Sequence, residues 1–205
     1  MERIGILGGS FNPIHIGHLF AGRAAAEAFG LDRVLLLPCS VSPFKVGAAG
    51  LASGADRLEM VRLSVAGDPL FEPCGLEVER GGVSYAVDTV RALRARRPDA
   101  RLSFIIGGDA LRELGHWREI GGMLELCDVV TVQRPGAEPV GAAELPFPAP
   151  VRERLLASVV RGRLCDVSST EIRRRVAEGR SIRHLVPPAV EAYIRERGLY
   201  AGAGA

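Results

Sequence analysis

The sequence predicts an α/β fold: a Rossmann-like parallel sheet with helices on both faces and a small C-terminal helical segment. Short, almost continuous apolar runs recur along the chain, the composition that strands covered on both faces require. Stretches with apolar residues at helical spacing lie between them. Strand, helix, strand in alternation is the order that right-handed crossovers impose on a parallel sheet.

The first run, Arg3–Leu7, stops at Gly8 and Gly9. An alanine-rich helix from Ile16 to Phe29 follows and ends at Gly30, a glycine C-cap. Val34–Pro38 is the second strand, and residues 46–54 read as a glycine- and alanine-rich loop. Leu58, Val61 and Val65 share a face of a helix over Asp56–Val65, and Leu70–Glu79 alternates in parts like a further strand. Val83, Val87, Val90 and Leu93 make a helical stripe that ends before Pro98. Leu102–Ile106, halted by Gly107 and Gly108, and Asp128–Gln133, halted by Arg134, Pro135 and Gly136, are strands. Residues 136–150 are irregular, and Leu164–Val167 is expected as a fifth strand. Thr170–Ala177 and Pro188–Arg197 are late helices, Pro188 suiting a first turn. A single domain over residues 1–200 and a disordered tail at 201–205 are expected.

The chain has 26 basic and 24 acidic residues, a net charge of +2, without the electrostatic footprint of a protein that tracks a nucleic acid polymer. No apolar run approaches the roughly 20 residues that span a bilayer. The N-terminus starts on a strand with no signal peptide, so a cytoplasmic protein without a membrane partner is expected. Cys39, Cys74, Cys127 and Cys165 are scattered, three of them in or beside apolar runs, and read as buried reduced thiols.

Parallel sheets bind ligands beyond the carboxyl ends of their strands. That rule points to the residues after Leu7, Pro38, Ile106, Gln133 and Val167. Gly8 and Gly9 read as turn glycines with positive φ that let the backbone approach a ligand, and Ser10 and Phe11 continue the turn. His15 and His18 flank Gly17, which removes a blocking side chain. A helix starting near Ile16 puts His18 in its first turn, where free N–H groups and the dipole favour an anion. Alone this is weak: a glycine turn with two surface histidines reads the same way, and neither GxGxxG nor GxxxxGK[ST] is present. The i, i+3 histidines offer no third metal ligand nearby, and no protein-ligated metal is expected. Ser168, Ser169 and Thr170 open a late helix as caps, as phosphate donors, or as both, with Arg173 one turn on. Lys45 follows the second strand. Asp109 is placed for a ribose hydroxyl or as a helix cap, and Trp117 is the only tryptophan.

GGSFNPIHIGHL at residues 8–19 resembles the HxGH signature of the nucleotidylyltransferase superfamily, and SSTEIR at 168–173 resembles its SSTxIR pattern. Within the superfamily, GGVSYAVDT at 81–89, FIIGGD at 104–109, Trp117, RPG at 134–136, LVPP at 185–188 and the ending Tyr193-Ile194 to Gly198-Leu199-Tyr200 are similar to bacterial nicotinate-nucleotide adenylyltransferases. The resemblance runs from Ile4 to Tyr200. Phosphopantetheine adenylyltransferases and cytidylyltransferases are the alternatives; neither accounts for Trp117 or RPG. Phe44 stands where the family commonly has histidine, and Ala86 where it has threonine.

The resemblance implies that the 5′-phosphate of nicotinate mononucleotide attacks the α-phosphorus of ATP in line, giving deamido-NAD and pyrophosphate. Catalysis is then positioning and charge stabilisation, without a general base or covalent intermediate. It implies catalytic roles for His15, His18, Lys45 and Arg173. ATP contacts fall to Gly8, Gly9, Ser10, Phe11, His15, Gly17, His18, Gly107, Asp109, Ser168, Ser169, Thr170 and Arg173. The acceptor meets Ser10, Lys45, Tyr85, Ala86, Asp109, Trp117 and Arg134, the last also bordering the adenine. The nicotinate ring stacks on Trp117, its carboxylate read by backbone N–H groups near Tyr85, Ala86 and Trp117. Mg²⁺ arrives on the ATP phosphates. Nicotinamide mononucleotide and phosphopantetheine remain alternative acceptors, and a homo-oligomer is compatible with the sequence. A non-catalytic binding protein would carry a damaged motif, and a Rossmann dehydrogenase would need GxGxxG.

Overall fold

The computed structural model describes residues 1–45, 50–134, 136–162 and 165–202, with Lys45 described in its backbone only. β1 (Arg3–Gly9) is buried from Ile4 to Leu7. Gly5 lies in its middle because a Cβ there would stand 2.8 Å from the side chains of Ile105 and Leu31. α1 (Ile16–Phe29) ends at Gly30, whose φ of 57° is the left-handed C-cap the sequence predicts. β2 (Arg33–Pro38), α2 (Gly54–Ser64), β3 (Phe71–Pro73), α3 (Leu76–Arg80) and α4 (Ala86–Arg96) follow. Then come β4 (Arg101–Gly107), α5 (Gly108–Arg112), α6 (Ile120–Leu126), β5 (Asp128–Gln133), α7 (Ala149–Ala157), β6 (Val159–Arg161), α8 (Ser169–Ala177) and α9 (Pro188–Glu196).

The strands form one sheet in the order β3-β2-β1-β4-β5-β6. β1 pairs with β4 in parallel, Ile4 opposite Leu102, and β4 with β5, Phe104 opposite Val129. β5 pairs with β6 in parallel, Thr131 opposite Val159. This is the Rossmann-like α/β architecture predicted.

Three expectations are corrected. The last strand is Val159–Arg161, not Leu164–Val167: residues 165–167 carry no strand, the run being broken by Asp166 and stopped at the Ser168 cap, and Leu164 lies outside the described residues. The stretch Leu70–Glu79 holds only the three-residue β3, then turns helical at Leu76. Residues 136–150 contain a 3₁₀ turn at Ala142–Glu144 and the start of α7. Positions 46–49 of the expected loop, Pro135 and residues 203–205 of the tail lie outside the described residues.

The chain forms two compact units, each assembled from three segments: Met1–Gly8, Phe20–Leu35 and Tyr85–Leu164 in the first; Gly9–Leu19, Leu36–Ser84 and Cys165–Ala205 in the second. The first is cored by Ile4, Ile6, Leu102, Ile105, Leu111 and Leu114, the second by Phe11, Ile14, Leu36, Leu37, Met60 and Val61. Among the described residues no helix is long and apolar enough to cross a membrane. Cys39 and Cys127 are buried, whereas Cys74 and Cys165 are only half-buried. Burial, reinforced by Asp128, pushes the Cys127 thiol up to about 12, so it stays protonated.

Candidate active site

In the second unit, the turn after β1 and the start of α8 come together. The Ser169 hydroxyl donates to the carbonyl of Pro13 at 2.8 Å, and Arg173 donates from Nη1 to the carbonyl of Asn12, also at 2.8 Å. Two motifs some 150 residues apart in sequence are thus bonded to each other. Asn12, 3 % exposed, is the hub. Its Oδ1 accepts from the Tyr200 hydroxyl (2.8 Å) and the Ala52 N–H (3.0 Å), and its Nδ2 donates to the Gly50 carbonyl. Nothing in the spacing singled Asn12 out; its place between glycine turn and histidines was the available signal.

Gly8 and Gly9 belong to β1 and are not among the residues of positive φ. The left-handed residue of the turn is Phe11, at φ 44°. An aromatic residue there is strained, and near-total burial at 1 % exposure holds it. Gly9 serves that packing: a Cβ would stand 3.1 Å from the Phe11 ring. Gly17 likewise makes room for a protein group, since its Cβ would meet His15 Nδ1 at 3.0 Å.

His15 and His18 are stacked, ring centroids 3.7 Å apart and planes 28° from parallel, with Phe11 edge-on to His18 at 4.9 Å. The His15 N–H donates to His18 Nδ1 at 3.2 Å, and the His18 N–H to the His15 carbonyl at 3.0 Å. The first bond is one half of a capping box, with imidazole in place of the usual Glu or Gln; the second is a main-chain turn bond. The first fixes chemistry as well. Because Nδ1 accepts, neutral His18 carries its proton on Nε2 and presents a donor there. The helix start itself is less open to an anion than expected: the Ile16 N–H donates to the Leu185 carbonyl, and that of His18 to His15.

α8 divides its hydroxyls differently. Ser168 is the N-cap, accepting from the Glu171 N–H at 3.1 Å, and Ser169 holds Pro13. Thr170 Oγ1 accepts from Arg173 Nη2 at 3.3 Å and keeps its own hydroxyl proton. The N–H groups of Ser169 and Thr170 have no protein acceptor among the described residues, which leaves an anion two backbone donors beside a guanidinium. Ser10 accepts a weak bond from the Cys39 thiol at 3.8 Å. Lys45 closes the 3₁₀ turn Pro43–Lys45, and its side chain lies outside the description. Phe44 is 73 % exposed.

In the first unit, Trp117 meets Phe104 edge-on, centroids 5.8 Å apart and planes at 86°. Arg118 lies over the Tyr85 ring at 4.6 Å. The Trp117 N–H is already donated to the Leu114 carbonyl at 3.1 Å, so it is not an open reader of a carboxylate. Ala86 opens α4, whose first-turn N–H groups point out of the helix end. Asp109 is in the first turn of α5 and not its cap; Gly107 takes that place, and the Asp109 carboxylate is 94 % exposed. Gly108 is glycine because Gln133 Oε1 lies against it, while Gln133 Nε2 donates to the carbonyls of Ala137 and Glu138. This makes Gln133 the anchor of the loop after Arg134, a role its strand pattern conceals. Arg134 is exposed at the end of β5.

A family model described as Cytidylyltransferase-like matches residues 6–175. A protein described as "Probable nicotinate-nucleotide adenylyltransferase" from Citrifermentans bemidjiense is 45% identical, covering 98% of this chain and 99% of its own. One so described from Roseiflexus sp. is 44% identical, over 96% and 97%. The solved structure of Plasmodium falciparum nicotinic acid mononucleotide adenylyltransferase complexed with NaAD superposes with a TM-score of 0.74 at 16% identity, over 98% of both chains, a likeness of fold.

Proposed function

Since the chain belongs to the cytidylyltransferase-like family, and within it to the nicotinate-nucleotide adenylyltransferases, we propose that it transfers the adenylyl group of ATP to nicotinate mononucleotide, giving deamido-NAD and pyrophosphate for NAD biosynthesis. The observation that supports this reading is the bonding of the HxGH turn to α8, Ser169 to Pro13 and Arg173 to Asn12; on this reading His18, Thr170 and Arg173 serve one anion-binding end.

An ionised 5′-phosphate oxygen of the acceptor attacks the α-phosphorus of ATP; the bond to the β-phosphate oxygen breaks, and pyrophosphate leaves with the electron pair. Neither partner needs a base, so the protein's work is orientation and charge. His18 donates from Nε2 to the α-phosphate, whose charge grows in the transition state. His15 stacks beneath it and sets its plane. The N–H groups of Ser169 and Thr170, with Arg173, hold the β- and γ-phosphates, and Gly8, Gly9, Ser10, Phe11, Gly17 and Ser168 shape the same end. Lys45 adds charge for pyrophosphate.

The acceptor ring stacks on Trp117, already braced by Phe104. Its carboxylate takes the first-turn N–H groups of α4 beside Tyr85 and Ala86; a backbone contact there tolerates the missing threonine hydroxyl. Asp109, beyond Gly107, takes ribose hydroxyls, and Arg134 borders acceptor and adenine. Among the described residues no three His, Cys, Asp or Glu side chains converge as a metal cage. Mg²⁺ would be held by the ATP triphosphate and water and would neutralise phosphate charge there. The cytosol, where ATP is plentiful and thiols stay reduced, is the fitting compartment.

The test is pyrophosphate release with ATP and, separately, nicotinate mononucleotide, nicotinamide mononucleotide and phosphopantetheine. The reading expects release and deamido-NAD with the nicotinate acceptor at the highest kcat/KM. No release, or preference for another acceptor, overturns it.

A further inference from the structure

Arg57 lies on α2, outside every motif, and is only 3 % exposed. Its guanidinium donates to four main-chain carbonyls: Ser10 (2.8 Å) and Cys39 (2.6 Å) from Nη1, Ser40 (3.1 Å) from Nη2 and Ala52 (3.1 Å) from Nε. These oxygens come from the turn after β1, the segment after β2 and the approach to α2. No carboxylate pairs with it among the described residues, and the sequence outside them contains no Asp or Glu. The neighbouring Asp56 is engaged by Ser53, Tyr193 and Arg197 instead.

We propose that the buried charge of Arg57 is a fixed part of the anion-binding end of the second unit, with substrate phosphate as its countercharge. The inference rests on the reading of this end as a nucleotide phosphate site. Carbonyl dipoles solvate a guanidinium but carry no net charge, and an arginine does not escape by losing its proton. A buried ion without a counterion is costly to keep. The cost has a use where an anion arrives: the charge is held in place before the ligand binds and needs no reorganisation. Arg57 also orients the turn. With the Ser10 carbonyl held on the guanidinium, the planar trans peptide sends the Phe11 N–H to the opposite side. One ammonium donor on the Ser10 carbonyl suffices for that orientation, so a lysine at this position keeps both the orientation and the charge, and the charge is what the proposal concerns.

Calorimetric titration of the full chain with inorganic pyrophosphate tests this, using wild type, Arg57→Lys and Arg57→Gln, each checked for folding by circular dichroism. Gln keeps amide donors without charge; Lys keeps charge without the fork. Expected are a loss of about tenfold or more in affinity for Arg57→Gln and a change within about threefold for Arg57→Lys. A folded Arg57→Gln that binds like wild type overturns the proposal. So does a folded Arg57→Lys that has lost about tenfold or more, since geometry and not charge would then matter. If Arg57→Gln fails to fold, the Lys variant decides alone. Wild type that binds pyrophosphate in this charge-dependent way, yet forms no dinucleotide with any acceptor, would remove the proposed reaction and leave this inference standing.

Discussion

At the residue scale, His18 does two jobs whose consequences separate. Its Nδ1 accepts the His15 N–H at the start of α1, and in the proposed reaction its Nε2 is the donor to the α-phosphate. His18→Ala removes both. The cap is worth about 1 kcal/mol, a shift of about 2–4 °C in Tm for a chain this long. A lost transition-state donor lowers kcat by about 10²–10³. The expected variant is therefore folded, slightly less stable and nearly inactive. Near-wild-type turnover under saturating ATP would remove His18 from the chemistry. Phe11 and Gly17 show how the turn is built around these rings. The glycines of the motif accommodate Phe11 and His15, and the strained φ falls on the buried aromatic.

At the scale of elements, α8 separates capping from binding. Ser168 Oγ takes the Glu171 N–H, while the Ser169 and Thr170 N–H groups stay open. Ser168→Ala should cost about 1 kcal/mol in urea unfolding while moving KM for ATP less than about threefold. A much larger rise in KM would mean that the serine hydroxyl itself holds phosphate. The elements legible in the sequence were those with a strong period or a clear stop: β1, β2, β4 and β5 before glycine or proline, α1 before Gly30, α8 and α9. α5, α6 and α7 were not legible, for local reasons. α5 has five residues, α6 begins after Glu119 in the left-handed region and holds Gly121 and Gly122, and α7 begins inside a proline-rich stretch. β6 has three residues, two half-buried and one exposed, too few for a pattern. The site was legible where motifs carried it. Asn12, Arg57 and Gln133 act through contacts with distant carbonyls and N–H groups, which spacing along the chain does not encode.

At the scale of the whole molecule, distant stretches of sequence are tied by a few polar contacts in the second unit. Tyr200 reaches Asn12 across 188 positions, Arg173 the same residue across 161, and Tyr193 reaches Asp56 across 137. The last of these ties makes stability depend on pH. Asp56 is held below the ordinary carboxyl range first by the Ser53 hydroxyl, with Tyr193 and Arg197 adding to it. A carboxyl lowered by folding contributes stability above its unfolded value, and that contribution is lost as pH falls through the folded value. Asp56→Asn should therefore unfold more easily than wild type at pH 7, by about 1 kcal/mol for one charged hydrogen-bonded group. The gap should narrow below about pH 4, where the unfolded carboxyl takes up its proton. Denaturant midpoints of both proteins from pH 7 down to pH 3 measure it. A gap that stays constant over that range would assign the loss to packing of α2 on α9 and take the charge of Asp56 out of the account.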